Sequence, residues 1–139
     1  NIKATELFSD TDLINQLKYK LKNKIPFMVC CDSKNVADIL YHSLGKDKLI
    51  ALFTSETLTD INLDDHLFVI FSPKIVYGLD SNGYGDDQLP RPVFAYYNMK
   101  SISPKAMMQQ ICRERKITHL YILIYSKIIR NHVKNFMTP

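Results

Sequence analysis

Two short stretches hold most of the side chains able to do chemistry. In QQICRERK, residues 109–116, Gln109, Arg113 and Lys116 fall at i, i+4 and i+7. On a helix that spacing lines an amide, a guanidinium and an ammonium along one face. Met108, Ile111 and Cys112 supply much of the buried side. Such a face suits a polyphosphate, because arginine forks match phosphate oxygens. It equally makes a solvated helix surface, with Glu114 offsetting part of the charge, and taken alone this plainer reading is the better one.

The second stretch is VIFSPKIVYGLD, residues 69–80. An apolar run delivers Ser72 to a strand end, and Gly78 and Asp80 follow in the loop. A hydroxyl there can bond a phosphate oxygen, a glycine admits a close approach, and a carboxylate can accept from a ribose hydroxyl. A strand followed by a turn and a capping aspartate explains the same spacing, and on spacing alone it is favoured.

Short apolar runs alternate with helical periodicity around these stretches. Thr11 or Asp12 can cap a first helix that runs to about Lys22, with Leu13, Leu17 and Leu21 on one face. PFMVCC follows as a strand. Asp32 and Ser33 form a turn and N-cap, and a helix bearing Val36, Ile39, Leu40 and Leu44 closes at Gly45. Further strands are expected at 49–54, 66–72, 93–98 and 119–125. Ser103-Pro104 starts a helix to about Lys116, a last helix covers about 127–135, and SNGYGDDQLPRP at 81–92 is a long loop. The pattern predicts one α/β domain, a mostly parallel sheet of about five or more strands with helices on both faces. Ligands of such sheets gather beyond the strand carboxyl ends, here the loops after Cys31, Thr54, Phe71 and Asn98.

Composition sets the outer limits. The chain has 139 residues, 18 lysines plus arginines and 14 aspartates plus glutamates, a net +4. That mild basicity permits nucleic-acid contact without demanding it. KYKLKNK at 18–24 is a basic run, read first as a solvated face. No apolar run reaches the roughly 20 residues of a membrane span, so no membrane partner is expected. The first residues do not have the form of a signal peptide, and the absence of an initiator Met suggests a chain cut from something longer. Cys30, Cys31 and Cys112 have no metal-ligand spacing. Cys30 and Cys31 read as buried free thiols, which fits an intracellular reducing compartment. GxxxxGK[ST] and GxGxxG are absent, and Asp64-Asp65 is a weak candidate for magnesium. His42, His66, His119 and His132 are scattered, with no nucleophile at recognisable spacing. His119 opens a strand and reads as structural.

Taken in order, three stretches carry a resemblance. PFMVCCDSKNVADILYHSL resembles motif IV of superfamily 2 helicases, SPKIVYGLD motif V, and QQICR motif VI, with Cys112 in the glycine place. The likeness spans roughly residues 25 to 125, the second RecA-like domain of that family. FAYYNMKSISPKAMMQQICRERK resembles more finely the origin-binding helicases of herpesviruses and related helicases of nucleocytoplasmic large DNA viruses.

The resemblance implies the C-terminal motor domain of an ATP-dependent DNA helicase acting in replication. ATP with Mg2+ would be held by a first RecA-like domain outside this sequence, and this domain alone would be inactive. Arg113 matches the arginine that reaches the γ-phosphate, and Arg115 or Lys116 shares that role. Gln109 orients the arginine or the nucleotide, and Gly78 and Asp80 lie near the nucleotide. Ser72 stands where the family has a threonine on the nucleic-acid backbone. Ser33, Lys34, Ser55 and Thr57 lie on loops that could add phosphate contacts. The implied partners are single- or double-stranded DNA, the first RecA-like domain and a fused or associated primase, in a host nucleus or cytoplasmic replication site if the source is viral. A non-catalytic RecA-like nucleic-acid-binding or scaffolding module and an unrelated α/β binding domain remain as alternatives. Asp86 and Asp87 repel a phosphate backbone, so nucleic acid is not expected against them.

Overall fold

The computed structural model describes residues 3–54, 63–72, 82–97, 111, 115 and 117–125. They form a six-stranded parallel sheet, β1 (Lys3–Glu6), β2 (Phe27–Cys31), β3 (Ile50–Phe53), β4 (Phe68–Phe71), β5 (Val93–Tyr97) and β6 (His119–Ile124). The strands lie in the order β1-β6-β5-β2-β4-β3. Every residue of β2, β4 and β5 is buried, as expected of strands covered on both faces. β1 is an addition to the expected strands: KATE is short and polar, with no apolar run to mark it. It is an edge strand, so it needs only one partner and little burial.

Helix α1 (Asp10–Lys22) starts two or three residues earlier than expected. Ser9, not Thr11 or Asp12, is its N-cap, and its Oγ accepts from the Asp12 N–H at 3.1 Å. Asp10 and Asp12 fall instead in the first turn, where acids favour the helix dipole. Helix α2 (Lys34–Ser43) is capped by Ser33 as expected, with Val36 N–H donating to its hydroxyl. Gly45 follows the helix with φ of +77° and supplies the left-handed residue that ends it.

The two described helices cover the same face. Leu13, Leu17 and Leu21 of α1 and Val36, Ala37 and Leu40 of α2 pack with Phe27, Val29, Cys31, Ile70 and Phe94. The alternate residues Met28, Cys30, Val69, Phe71, Ala95 and Ile122 face the other way, against Leu63 and Ile111. Chain direction explains the division. From β1 to β2 and from β2 to β3 the chain crosses the sheet one way, and from β3 through β4 and β5 to β6 it returns. Right-handed crossovers put the outward and return connections on opposite faces. Leu63, between β3 and β4, and Ile111, between β5 and β6, both lie on the return side. The expected helix over 104–116 lies outside the described residues except Ile111, at a helical position, and Arg115 in a turn. The expected last helix, over about 127–135, lies outside them altogether.

Aromatic packing runs along β6 and onto β5. His119 stacks on Tyr121 at 4.2 Å and Tyr121 on Phe94 at 4.4 Å, while the Lys20 ammonium rests 5.7 Å from the Tyr121 ring centre. His119 also shares a 2.6 Å hydrogen bond with the Thr5 hydroxyl. Burial first, then the nearby Lys3 and Lys20 charges, hold its pKa below the usual histidine value. It is a structural histidine, as its place at a strand start suggested.

The stretch read as a long loop has structure of its own. Tyr84 and Leu89 form an antiparallel bridge around a tight turn. A wholly buried Arg91 then donates to the carbonyls of Leu63 and Gly83 and lies 4.0 Å from Asp64.

Candidate functional site

The strand order fixes where a ligand fits this sheet. The connection leaving β2 climbs one face as α2 and leads outward to β3, while the chain leaving the neighbouring β5 goes to β6, the opposite way along the sheet. The carboxyl end of β2 is therefore a topological switch point, where open α/β sheets leave a crevice.

Register shows which residues meet there. Phe53, Phe71, Cys30 and Ala95 are aligned across β3, β4, β2 and β5. One residue further on, Thr54, Ser72, Cys31 and Tyr96 make the next row. Strand alternation sends these four toward α2, whose N-terminus opens at the same edge behind Ser33. Asp32 follows Cys31, and its carboxyl is close enough to both Cys31 and Tyr97 to act on their ionisation. Thr54, Ser72 and Asp32 are all buried, and Ser72 is only 1% exposed. The Ser72 hydroxyl has no hydrogen-bond partner among the described residues.

The chemistry of this edge is that of an anion cradle. Acidic residues are absent from the first turn of α2, and the nearest carboxylate, Asp32, precedes the N-cap, so no acid within the first turn competes for the positive end of the dipole. Ser33 uses an oxygen lone pair to cap Val36 N–H at 3.1 Å, which leaves its own O–H to donate outward. Lys34, half-buried, forms a 2.8 Å ion pair with Asp38, so its charge is held beside the helix start. Neither Cys31 nor Tyr97 is prepared as a nucleophile. Burial, then Cys30 and Asp32, pushes the Cys31 thiol up, and Tyr97 is raised by burial and the same neighbours. A thiol in that state is unreactive.

Ser33, Lys34 and Ser72 are thus brought to one edge, as expected from their places after β2 and β4. Arg115 is exposed in a turn just ahead of β6 and is not brought to that edge. Ser55, Thr57, Gly78, Asp80, Gln109, Arg113 and Lys116 lie outside the described residues. Sequence reasoning read Asp32 as a turn residue and Thr54 only as a strand end ahead of a loop to search, and it singled out neither as a buried polar group. The signal was present: each is the first polar residue after an apolar strand.

A second cleft lies at the opposite, amino-terminal edge, lined by Asp64, Asp65, Tyr84, Asp86 and Asp87. Four carboxylates make it unfit for phosphate. Asp64 is already engaged there, accepting from the Asn82 N–H at 3.0 Å.

The fold and this edge define a parallel α/β domain with a switch-point crevice. No family model matches the chain, and no curated protein matches it. No helix among the described residues is long and apolar enough to cross a membrane.

Proposed function

We propose that this chain is the second RecA-like domain of an ATP-dependent DNA helicase or translocase that acts in replication. The observation that supports it most is the shared edge. Ser33, from the stretch resembling motif IV, and Ser72, from the stretch resembling motif V, lie just beyond the carboxyl ends of the adjacent strands β2 and β4, beside the switch point. Anion-binding groups at that place suit a domain that meets phosphates along one edge.

On this reading the division of labour is simple. A first RecA-like domain binds ATP and Mg2+. This domain closes on it and brings Arg113 to the charge that develops on the γ-phosphate, with Gln109 holding the arginine in line. A guanidinium so placed accelerates phosphoryl transfer by roughly 10³ to 10⁵ in well-studied cases. Ser33 and Ser72 take the nucleic-acid backbone, and alternating closure moves the strand. Contacts of that kind are insensitive to sequence and sensitive to salt.

The test is ATP turnover in a protein that joins this chain to its first RecA-like domain. Arg113→Ala is expected to lower DNA-stimulated hydrolysis at least a thousandfold while leaving circular dichroism unchanged. Unaltered turnover sinks the role of Arg113. No ATPase in the joined parent protein favours the non-catalytic module instead.

A further inference from the structure

The solvent face of α1 is unusual for a helix surface. Thr11, Asn15, Lys18 and Lys22, at i, i+4, i+7 and i+11, form an exposed stripe, with Tyr19 alongside it. The Tyr19 side is 62% exposed. This stripe carries no carboxylate. Solvated helix faces ordinarily mix signs, because Glu and Lys four apart stabilise each other. Here the helix acids, Asp10 and Asp12, are confined to the first turn, and Asp10 accepts from the Tyr96 and Tyr125 hydroxyls. Among the described residues no carboxylate pairs with Lys18 or Lys22.

The other lysines of the run are placed differently. Lys20 turns inward over the rings of Phe94 and Tyr121, and burial lowers its pKa. The helix dipole accounts for Lys20 and Lys22 in the last turn. It accounts neither for Lys18 a turn earlier nor for an exposed tyrosine between two cations.

We propose that this face of α1 is a second docking surface, and that its occupant is single-stranded nucleic acid. Lys18 and Lys22 take successive phosphates, Tyr19 stacks on a base, and Asn15 and Thr11 offer hydrogen bonds to sugar or base. Cations flanking an exposed ring are the combination by which single strands are held without sequence preference. An acidic protein segment would use the lysines but leave the ring without a stacking partner. The surface lies on the outer side of α1, apart from the switch-point crevice, and the inference does not rest on the helicase reading.

The test is fluorescence anisotropy of labelled oligothymidylate with the whole chain across a salt series. Lys18→Ala with Lys22→Ala is expected to weaken binding and reduce the slope of log K against log salt by about 1.4, two phosphates' worth. Tyr19→Ala is expected to weaken binding about 5- to 150-fold with the slope unchanged. All three side chains are exposed, so circular dichroism should match the parent. The proposal is overturned if the parent chain does not bind the oligonucleotide, or if the lysine variant keeps the parental slope. It is also overturned if Tyr19→Ala binds as tightly as the parent, or if polyglutamate displaces the oligonucleotide at equal charge concentration.

Discussion

The guanidinium of Arg91 is wholly buried and donates to the main-chain carbonyl of Leu63. This bond ties the segment entering β5 to the 3₁₀ turn at Leu63–Asp65 that leads into β4. The Gly83 carbonyl accepts from the same nitrogen at 3.4 Å. One arginine thus fastens the return connections at the amino-terminal edge.

Removing it should be costly. Arg91→Ala leaves buried carbonyls without a donor and opens a cavity, so a loss on the order of 3 kcal/mol is expected in urea unfolding. A loss under about 1 kcal/mol would show that the bond is incidental. Gly83→Ala should also destabilise, since its φ is +105° and an added Cβ would meet the Gln88 carbonyl carbon at 2.6 Å.

Alkaline stability should depend on Tyr96. Its phenol is raised by burial, then by the hydrogen bond to Asp10, and Tyr125 is raised by its own bond to Asp10. An unfolded phenol ionises near pH 10, and the folded ones ionise only above that. The unfolded state therefore binds fewer protons above pH 10. The stabilisation is complete below that pH and is lost as pH rises through the folded pKa. Tyr96→Phe is expected to cost about 1 kcal/mol at neutral pH and to make the alkaline decline shallower. An unchanged decline would assign it to other groups, such as Cys31.

Ser33 separates capping from binding. Ser33→Ala should lower stability by about 1 kcal/mol, the usual worth of an N-cap. Ser33→Asp preserves the cap but faces a phosphate with a negative charge. Its stability should stay within about 0.5 kcal/mol of the parent, while oligonucleotide binding falls about tenfold or more. Equal binding by the aspartate variant would remove Ser33 from the anion cradle.

The sequence shows the sheet more readily than the site. β2, β4 and β5 are continuous apolar runs, so their burial was legible before their partners were known. Ser33 was legible as well, because a serine after a strand and before an apolar-periodic run is a local signal. β1 was not, since an edge strand needs few apolar residues. The start of α1 was misread because Ser9, Thr11 and Asp12 all have capping side chains, and backbone geometry decides among them. The bonds from Tyr96 and Tyr125 to Asp10 span 86 and 115 residues of chain. No local pattern announces contacts that only the strand order creates.

That strand order also has a consequence in time. Among the described strands β1 pairs only with β6, and the bond between Thr5 and His119 joins residues 114 apart. During synthesis the first strand must wait, without its partner, until nearly the last described residues have been made. The central strands can meet earlier, because β2, β4 and β5 lie closer together along the chain. β1 is therefore the latch of the sheet, set last, and loop-closure entropy makes that step slow. A chain that ends before β6 would leave β1 with no strand to join.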